Sequence, residues 1–240
     1  MPLLLPAPSQ TLCLNPEPLT PKAFSPFGTA ITSPLPPTRS SILKSSSLPQ
    51  PLHPPYQPHP VLANQATALK YSPISPLVNN YPDAPSRGPG RPLVSMFSCF
   101  PRQLDRVGNF NVRILERHPF TTQTFVPLGV AANDPDISFL IIVAPPLLDS
   151  LPTKTTSGNS IQIYQPPDLC NMKAFVAHGG QAVTYGVGTW HAPMVILGRQ
   201  RVDFVVTQFV SGVADEDCHE VQVEEGVVVR TGAGQMMSKL

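Results

Sequence analysis

Charge is scarce in this chain and almost balanced: 16 Lys and Arg against 15 Asp and Glu over 240 residues leave a formal net charge of +1. No basic cluster or Lys/Arg-rich run stands out, so the electrostatic footprint of a nucleic-acid binder is missing and a neutral, small partner is expected instead. Cysteine is scarce as well. The four present, Cys13, Cys99, Cys170 and Cys218, match neither a C-x-x-C motif nor finger spacing, which leaves buried or free thiols as the reading. Long apolar runs are absent, because the longest, 137–148, is too short to span a bilayer and contains Pro145-Pro146. The opening Met1-Pro2-Leu3-Leu4-Leu5-Pro6 has no basic n-region and is interrupted by proline, so neither a secretion signal nor a membrane partner is expected.

Proline is what the chain has in excess. It holds 32, most of them before residue 93, so the two halves have to be read separately. Residues 1–18 read as a flexible Pro-rich tail. Residues 19–31 read as a short helical turn running into a strand, with Thr20 as N-cap and Pro21 where a first turn tolerates it. Residues 33–60 are rich in Pro, Ser and Leu and read as a disordered insertion, since such a composition buries too little apolar surface to offset chain entropy. From residue 93 the pattern changes to short β-rich runs at 93–100, 111–115, 122–126, 137–143, 173–176, 182–185, 194–197 and 202–210. The run 137–143 is almost wholly apolar and predicts a strand buried on both faces. Strands of this kind without helical interludes predict an all-β sandwich or jelly roll, with Gly179-Gly180 as a hairpin turn. One domain over 19–232 and a C-terminal tail over 233–240 complete the expected organisation.

Two histidines sit in recognisable frames. Glu116-Arg117-His118-Pro119 places an acid and an imidazole two residues apart, which on a strand puts both on one face, and Gln123 follows beyond a proline-marked bend. Gly188-Thr189-Trp190-His191-Ala192-Pro193 carries the only tryptophan beside a histidine in a Gly-containing, non-helical segment. Together they read as two halves of one polar site. Histidine titrates near neutrality, so His118 and His191 are candidates for proton transfer. His53, His59, His178 and His219 read as surface or satisfied core residues, and Asp217-Cys218-His219-Glu220 as a solvated turn.

Several blocks, in order, resemble the ureidoglycolate lyase family, fungal members in particular. They are Leu19-Thr20-Pro21-Lys22-Ala23-Phe24-Ser25-Pro26-Phe27-Gly28, Asn64-Gln65-Ala66-Thr67-Ala68-Leu69-Lys70-Tyr71, Glu116-Arg117-His118-Pro119 through Leu128, Gly180-Gln181, Tyr185, Trp190-His191-Ala192-Pro193, Asp203-Phe204 and Asp217-Cys218-His219-Glu220. Ala66 stands where the family usually has glycine, at a turn that would need positive φ. The resemblance implies a cupin-type jelly roll and the cleavage of ureidoglycolate to glyoxylate and urea in allantoin degradation.

That reaction needs a base for the hydroxyl proton, an acid for the departing nitrogen and a holder for the carboxylate. On the resemblance, His118, His191 and Glu116 are the catalytic candidates. Gln123 would meet the ureido group, Lys70 or Arg102 the carboxylate, and Tyr185 and Trp190 would wall the pocket, although Trp190 reads equally well as core and Arg102 as an exposed ion-pair residue. Cupins often bind metal through a comparable order of ligands, but here only two of the four positions are imidazoles. No obligatory metal or other cofactor is expected, and a weakly bound divalent ion stays open. The competing readings are a ureidoglycolate amidohydrolase releasing ammonia, a metal-dependent cupin oxygenase or isomerase, and a non-catalytic domain binding a small acid. Cupins often pair through strand edges, so a homodimer is expected. Ser238-Lys239-Leu240 reads as the ligand of the peroxisomal import receptor, which makes the peroxisome the expected compartment and the cytoplasm the alternative.

Overall fold

Every residue of Ser138–Ala144 after the first is buried, and the side chains divide strictly by parity, as a pleated strand requires. Phe139, Ile141 and Val143 enter one apolar cluster, while Leu140, Ile142 and Ala144 enter another on the opposite face. This is the doubly buried strand that the run 137–143 predicts. The computed structural model describes residues 3–36, 38, 40, 41, 58–155 and 158–231. Most of the insertion expected over 33–60, and the tripeptide at 238–240, therefore lie outside the described residues.

Among the described residues an eight-stranded sheet runs in the order Leu3–Leu5, His219–Val223, Ile114–Arg117, Trp190–His191, Ser138–Ala144, Lys173–His178 and Glu17–Pro18, with Val195–Ile196 also paired to Ser138–Ala144. A five-stranded sheet runs Gly28–Thr32, Gln181–Tyr185, Gln123–Leu128, Val202–Val210 and Arg91–Cys99. The two sheets face each other across the first cluster, where Phe125, Phe204 and Phe139 meet edge to face. Each such ring, fully buried, contributes about 1.5–3 kcal/mol. The all-β jelly-roll sandwich is thus the observed fold. The described helices are short, and none is long and apolar enough to cross a membrane.

Thr20 caps the Pro21–Phe24 turn by accepting from Ala23 N, and Gly28–Thr32 follows as a strand, as the sequence predicts. Three expectations are corrected. Residues 3–18 are not a loose tail: Leu3–Leu5, Leu12–Leu14 and Glu17–Pro18 add in parallel to His219–Val223, Val227–Arg230 and Lys173–His178. Proline is tolerated on such edge strands because only one side of the strand must pair, and the leucines between the prolines supply the apolar contact, Leu5 being buried. The run 111–115 is broken into Asn109–Asn111 and Ile114–Arg117, which belong to different sheets. Gly179-Gly180 does not close a hairpin, since Lys173–His178 and Gln181–Tyr185 also lie in different sheets. The pair turns the chain between layers, and a Cβ on Gly179 would overlap the Ala131 carbonyl.

The turn at Ala66 does demand positive φ. In the small hairpin of Val61–Ala63 and Ala68–Lys70, Asn64, Gln65 and Ala66 all lie in the left-handed region, Ala66 at +64°.

Candidate active site

Glu116 and His191 are direct cross-strand partners on neighbouring strands of the larger sheet, so their side chains leave the same face at the closest spacing a sheet offers. His118 follows Glu116 by two positions and returns to that face as the chain leaves the strand. The Pro119-marked bend then carries the chain across to the smaller sheet, where Gln123 opens the strand Gln123–Leu128. The single frame 116–123 therefore contributes to both walls at one end of the sandwich. Thr121 and Thr122, fully buried, fix the bend through bonds to Val78 and Phe209.

Glu116, His118 and His191 each place a ligand atom so that all three lie within 4.8 Å of one another. His191 Nε2 approaches Glu116 Oε1 at 3.3 Å, and the His118 and His191 rings are 5.6 Å apart. Tyr185 stacks on the His191 ring at 3.9 Å with only 10° between planes. Across the smaller sheet, Tyr185, Gln123, Gln208 and Leu93 stand in one register row. Gln123 Nε2 donates to Gln208 Oε1 at 2.6 Å, which leaves its buried Oε1 without a partner. Gln208 escapes the sequence reading, although a signal for it is present. Val202, Phe204 and Val206 form a buried, inward series at even positions, and position 208 continues that face.

The ring partners determine what each histidine presents. His118 Nδ1 lies 2.6 Å from the Asp217 carbonyl oxygen, which can only accept, so Nδ1 carries the hydrogen and a neutral ring leaves Nε2 bare. That Nε2 is buried and has no hydrogen-bond partner. Burial, and then His191, hold the His118 pKa below the usual histidine value. His191 Nδ1 faces Thr189 O at 3.2 Å, while its buried Nε2 lies 3.3 Å from the Glu116 carboxylate without completing a hydrogen bond. Burial pushes the Glu116 carboxyl up, but His191 and His118 more than offset it and hold the group below its ordinary range. The site thus combines a bare imidazole nitrogen, an imidazole between two acceptors, and an ionised carboxylate. Two imidazole nitrogens and a carboxylate oxygen at this spacing also suit a divalent cation.

Other candidates fall elsewhere. Trp190 is fully buried on the opposite face of its strand, within the second cluster, and donates to Gln165 O at 2.9 Å. Alternation forces this: with His191 facing the site, its neighbour cannot. Lys70 is exposed at the end of the small hairpin, and Arg102 stacks over the Phe110 ring at 5.4 Å. Neither makes a hydrogen bond or ion pair to Glu116, His118, Gln123 or His191 among the described residues. The turn at 217–220 is no solvated loop: Asp217 supports His118, His219 accepts from Arg117, and burial pushes the Cys218 thiol up to about 12.

The profile of the ureidoglycolate lyase family matches residues 11–230. The chain belongs to the ureidoglycolate lyase family. It is 35% identical over 172 residues to a ureidoglycolate lyase of Schizosaccharomyces pombe, covering 70% of this chain and 81% of that one. A Saccharomyces cerevisiae protein of the same name is 35% identical over 179 residues, covering 69% and 80%. A Burkholderia mallei relative, also a ureidoglycolate lyase, is 31% identical over 193 residues, covering 80% of each chain. The family match covers the smaller sheet, all of the larger one except Leu3–Leu5, and every residue of the cluster described above.

Proposed function

We propose that this protein is a ureidoglycolate lyase, cleaving (S)-ureidoglycolate to glyoxylate and urea, and that Glu116, His118 and His191 carry the reaction. The observation that supports it most is the unlike surroundings of the two imidazoles: both present a buried Nε2, but only His191 has the Glu116 carboxylate beside it, at 3.3 Å. The substrate carbon bears a hydroxyl, a carboxylate and a ureido nitrogen. The bare Nε2 of His118 takes the hydroxyl proton as the C=O forms, the C–N bond breaks with its electron pair leaving on nitrogen, and His191 returns a proton to that nitrogen. Glu116 stabilises the protonated His191 ring, and the unpartnered Gln123 Oε1 accepts from a ureido N–H. The sum is one glyoxylate and one urea, with no redox change and no covalent enzyme intermediate.

No metal is obligatory in this reading. A divalent ion held by Glu116, His118 and His191 would polarise the substrate's oxygen atoms, and Gln123 and Tyr185 would keep their positioning roles beside it. A homodimer is also proposed, with a second copy adding along Arg91–Cys99. That strand is the long outer edge of its sheet and exposes Val94, Met96 and Phe97, an edge that proteins ordinarily cover. Sedimentation at micromolar concentration tests it; a monomer throughout would contradict it. Ser238-Lys239-Leu240, where it stands as the free carboxyl terminus, is proposed to direct peroxisomal import, and a fluorescent protein fused at the other end should turn from punctate to diffuse when Leu240 is removed.

The test of the reaction is to incubate chelator-treated protein with racemic ureidoglycolate and measure glyoxylate, urea and ammonia together, with and without added divalent metal. Equal urea and glyoxylate from about half of the substrate, metal or no metal, is the expected result. Ammonia in place of urea would mean an amidohydrolase, dependence on metal would make the three residues ligands first, and binding without turnover would leave a small-acid binding domain.

A further inference from the structure

We infer that Asp217 is a positioning residue for His118, acting through its own backbone carbonyl; this rests on the reading of His118 as the base. Asp217 closes the short helix Ala214–Asp217, a segment with little apolar packing of its own. Its carboxylate accepts from Ser211 N at 2.6 Å, Ser211 Oγ at 3.0 Å, Gly212 N at 2.8 Å and the Tyr81 hydroxyl at 2.7 Å. Tyr81 is wholly buried and packs on Phe120, two residues beyond His118. One residue earlier, the buried Glu216 carboxylate accepts from Ser86 N and Oγ at 2.7 and 2.6 Å.

One buried and one half-buried carboxylate thus direct their hydrogen bonding to a single turn. What the turn delivers to the site is a single atom, the Asp217 carbonyl oxygen, 2.6 Å from His118 Nδ1. Because a carbonyl cannot donate, its placement selects the tautomer with hydrogen on Nδ1 and leaves the lone pair on Nε2, the buried nitrogen without a hydrogen-bond partner. The fourfold anchoring of the carboxylate fixes where that oxygen sits. If the carbonyl drifts, the neutral ring is free to place its hydrogen on Nε2, and the base is lost while the pocket walls remain. Glu216 anchors the same turn but offers no atom to the ring, so it separates a structural role from a positioning one.

The experiment is ¹⁵N NMR of the His118 ring in the intact protein, read beside steady-state kinetics for wild type, Asp217→Ala and Glu216→Gln. In wild type, Nδ1 should give the protonated and Nε2 the bare-nitrogen signature. Asp217→Ala should mix or reverse the two, with kcat falling about 10- to 100-fold, the range for losing the partner that orients a working imidazole, and KM unchanged within about twofold. Glu216→Gln should lower thermal stability without altering the tautomer. An unchanged His118 spectrum in folded Asp217→Ala, or an equal kcat loss in Glu216→Gln, would overturn the inference. If Asp217→Ala does not fold, Tyr81→Phe and Ser211→Ala, each removing part of the anchoring, carry the same two readouts. The ring spectrum needs no substrate, so an absence of lyase activity in wild type would count against the proposed reaction and not against this positioning.

Discussion

The strand pair Ile114–Arg117 and Trp190–His191 presents two faces that the same physics uses in opposite ways. On one face Glu116 meets His191, polar groups left with bare or loosely paired atoms. On the other, one residue along in each strand, Arg117 lies over the Trp190 ring at 5.0 Å and donates to Gln165 Oε1, Tyr164 O and His219 Nδ1. Arg117 is buried with no carboxylate partner among the described residues, and burial lowers its pKa to about 10. Its donors are nonetheless satisfied, so this face is structural. The lesson is that hydrogen-bond completeness separates the two faces where burial does not: His191 is as buried as Arg117 and Trp190, and only its face keeps polar atoms in reserve.

Exchanging the loss between faces should expose that contrast most strongly. His191→Gln is expected to lower kcat about 100- to 1,000-fold while leaving the urea-denaturation midpoint near the wild-type value, as kinetics and equilibrium unfolding on one preparation would show. Trp190→Ala should do the reverse, costing about 3–5 kcal/mol of stability while the folded fraction keeps its kcat within a few-fold. A smaller effect is expected from pH. Burial and Arg117 hold the His219 pKa below the ordinary histidine value, and burial does the same at His118. The unfolded chain therefore takes up these protons first as pH falls, so stability is complete above about pH 6.5 and declines below it. Denaturation midpoints at pH 8 and pH 5.5 check the sign. The smallest effect is expected at Lys70→Ala and Arg102→Ala, each leaving KM within about twofold, because neither makes a hydrogen bond or ion pair to Glu116, His118, Gln123 or His191 among the described residues; a tenfold rise in either would assign that residue to the carboxylate.

The architecture was legible wherever its signal is local. Alternation and β-branched content locate Val202–Val210 to the residue and Ser138–Ala144 to within one. The N-terminal strands were not legible, because two- or three-residue segments between prolines become strands only against partners far along the chain, such as Leu3 beside Val221. Gly179-Gly180 looks like a hairpin for the same reason: a turn signal is local, whereas the sheet each flanking strand joins is not. In the site, Glu116 and His118 are betrayed by their two-residue spacing and Gln208 by its place in an inward series. Asp217 is not, since it serves the ring through a carbonyl that every residue possesses.

The most direct measurement of the central claim is urea release by His118→Gln beside wild type, with thermal melts on both. A loss of at least about 100-fold with the melt unchanged is the expected result. Urea release within a few-fold of wild type from folded His118→Gln would contradict it and move the base to another group.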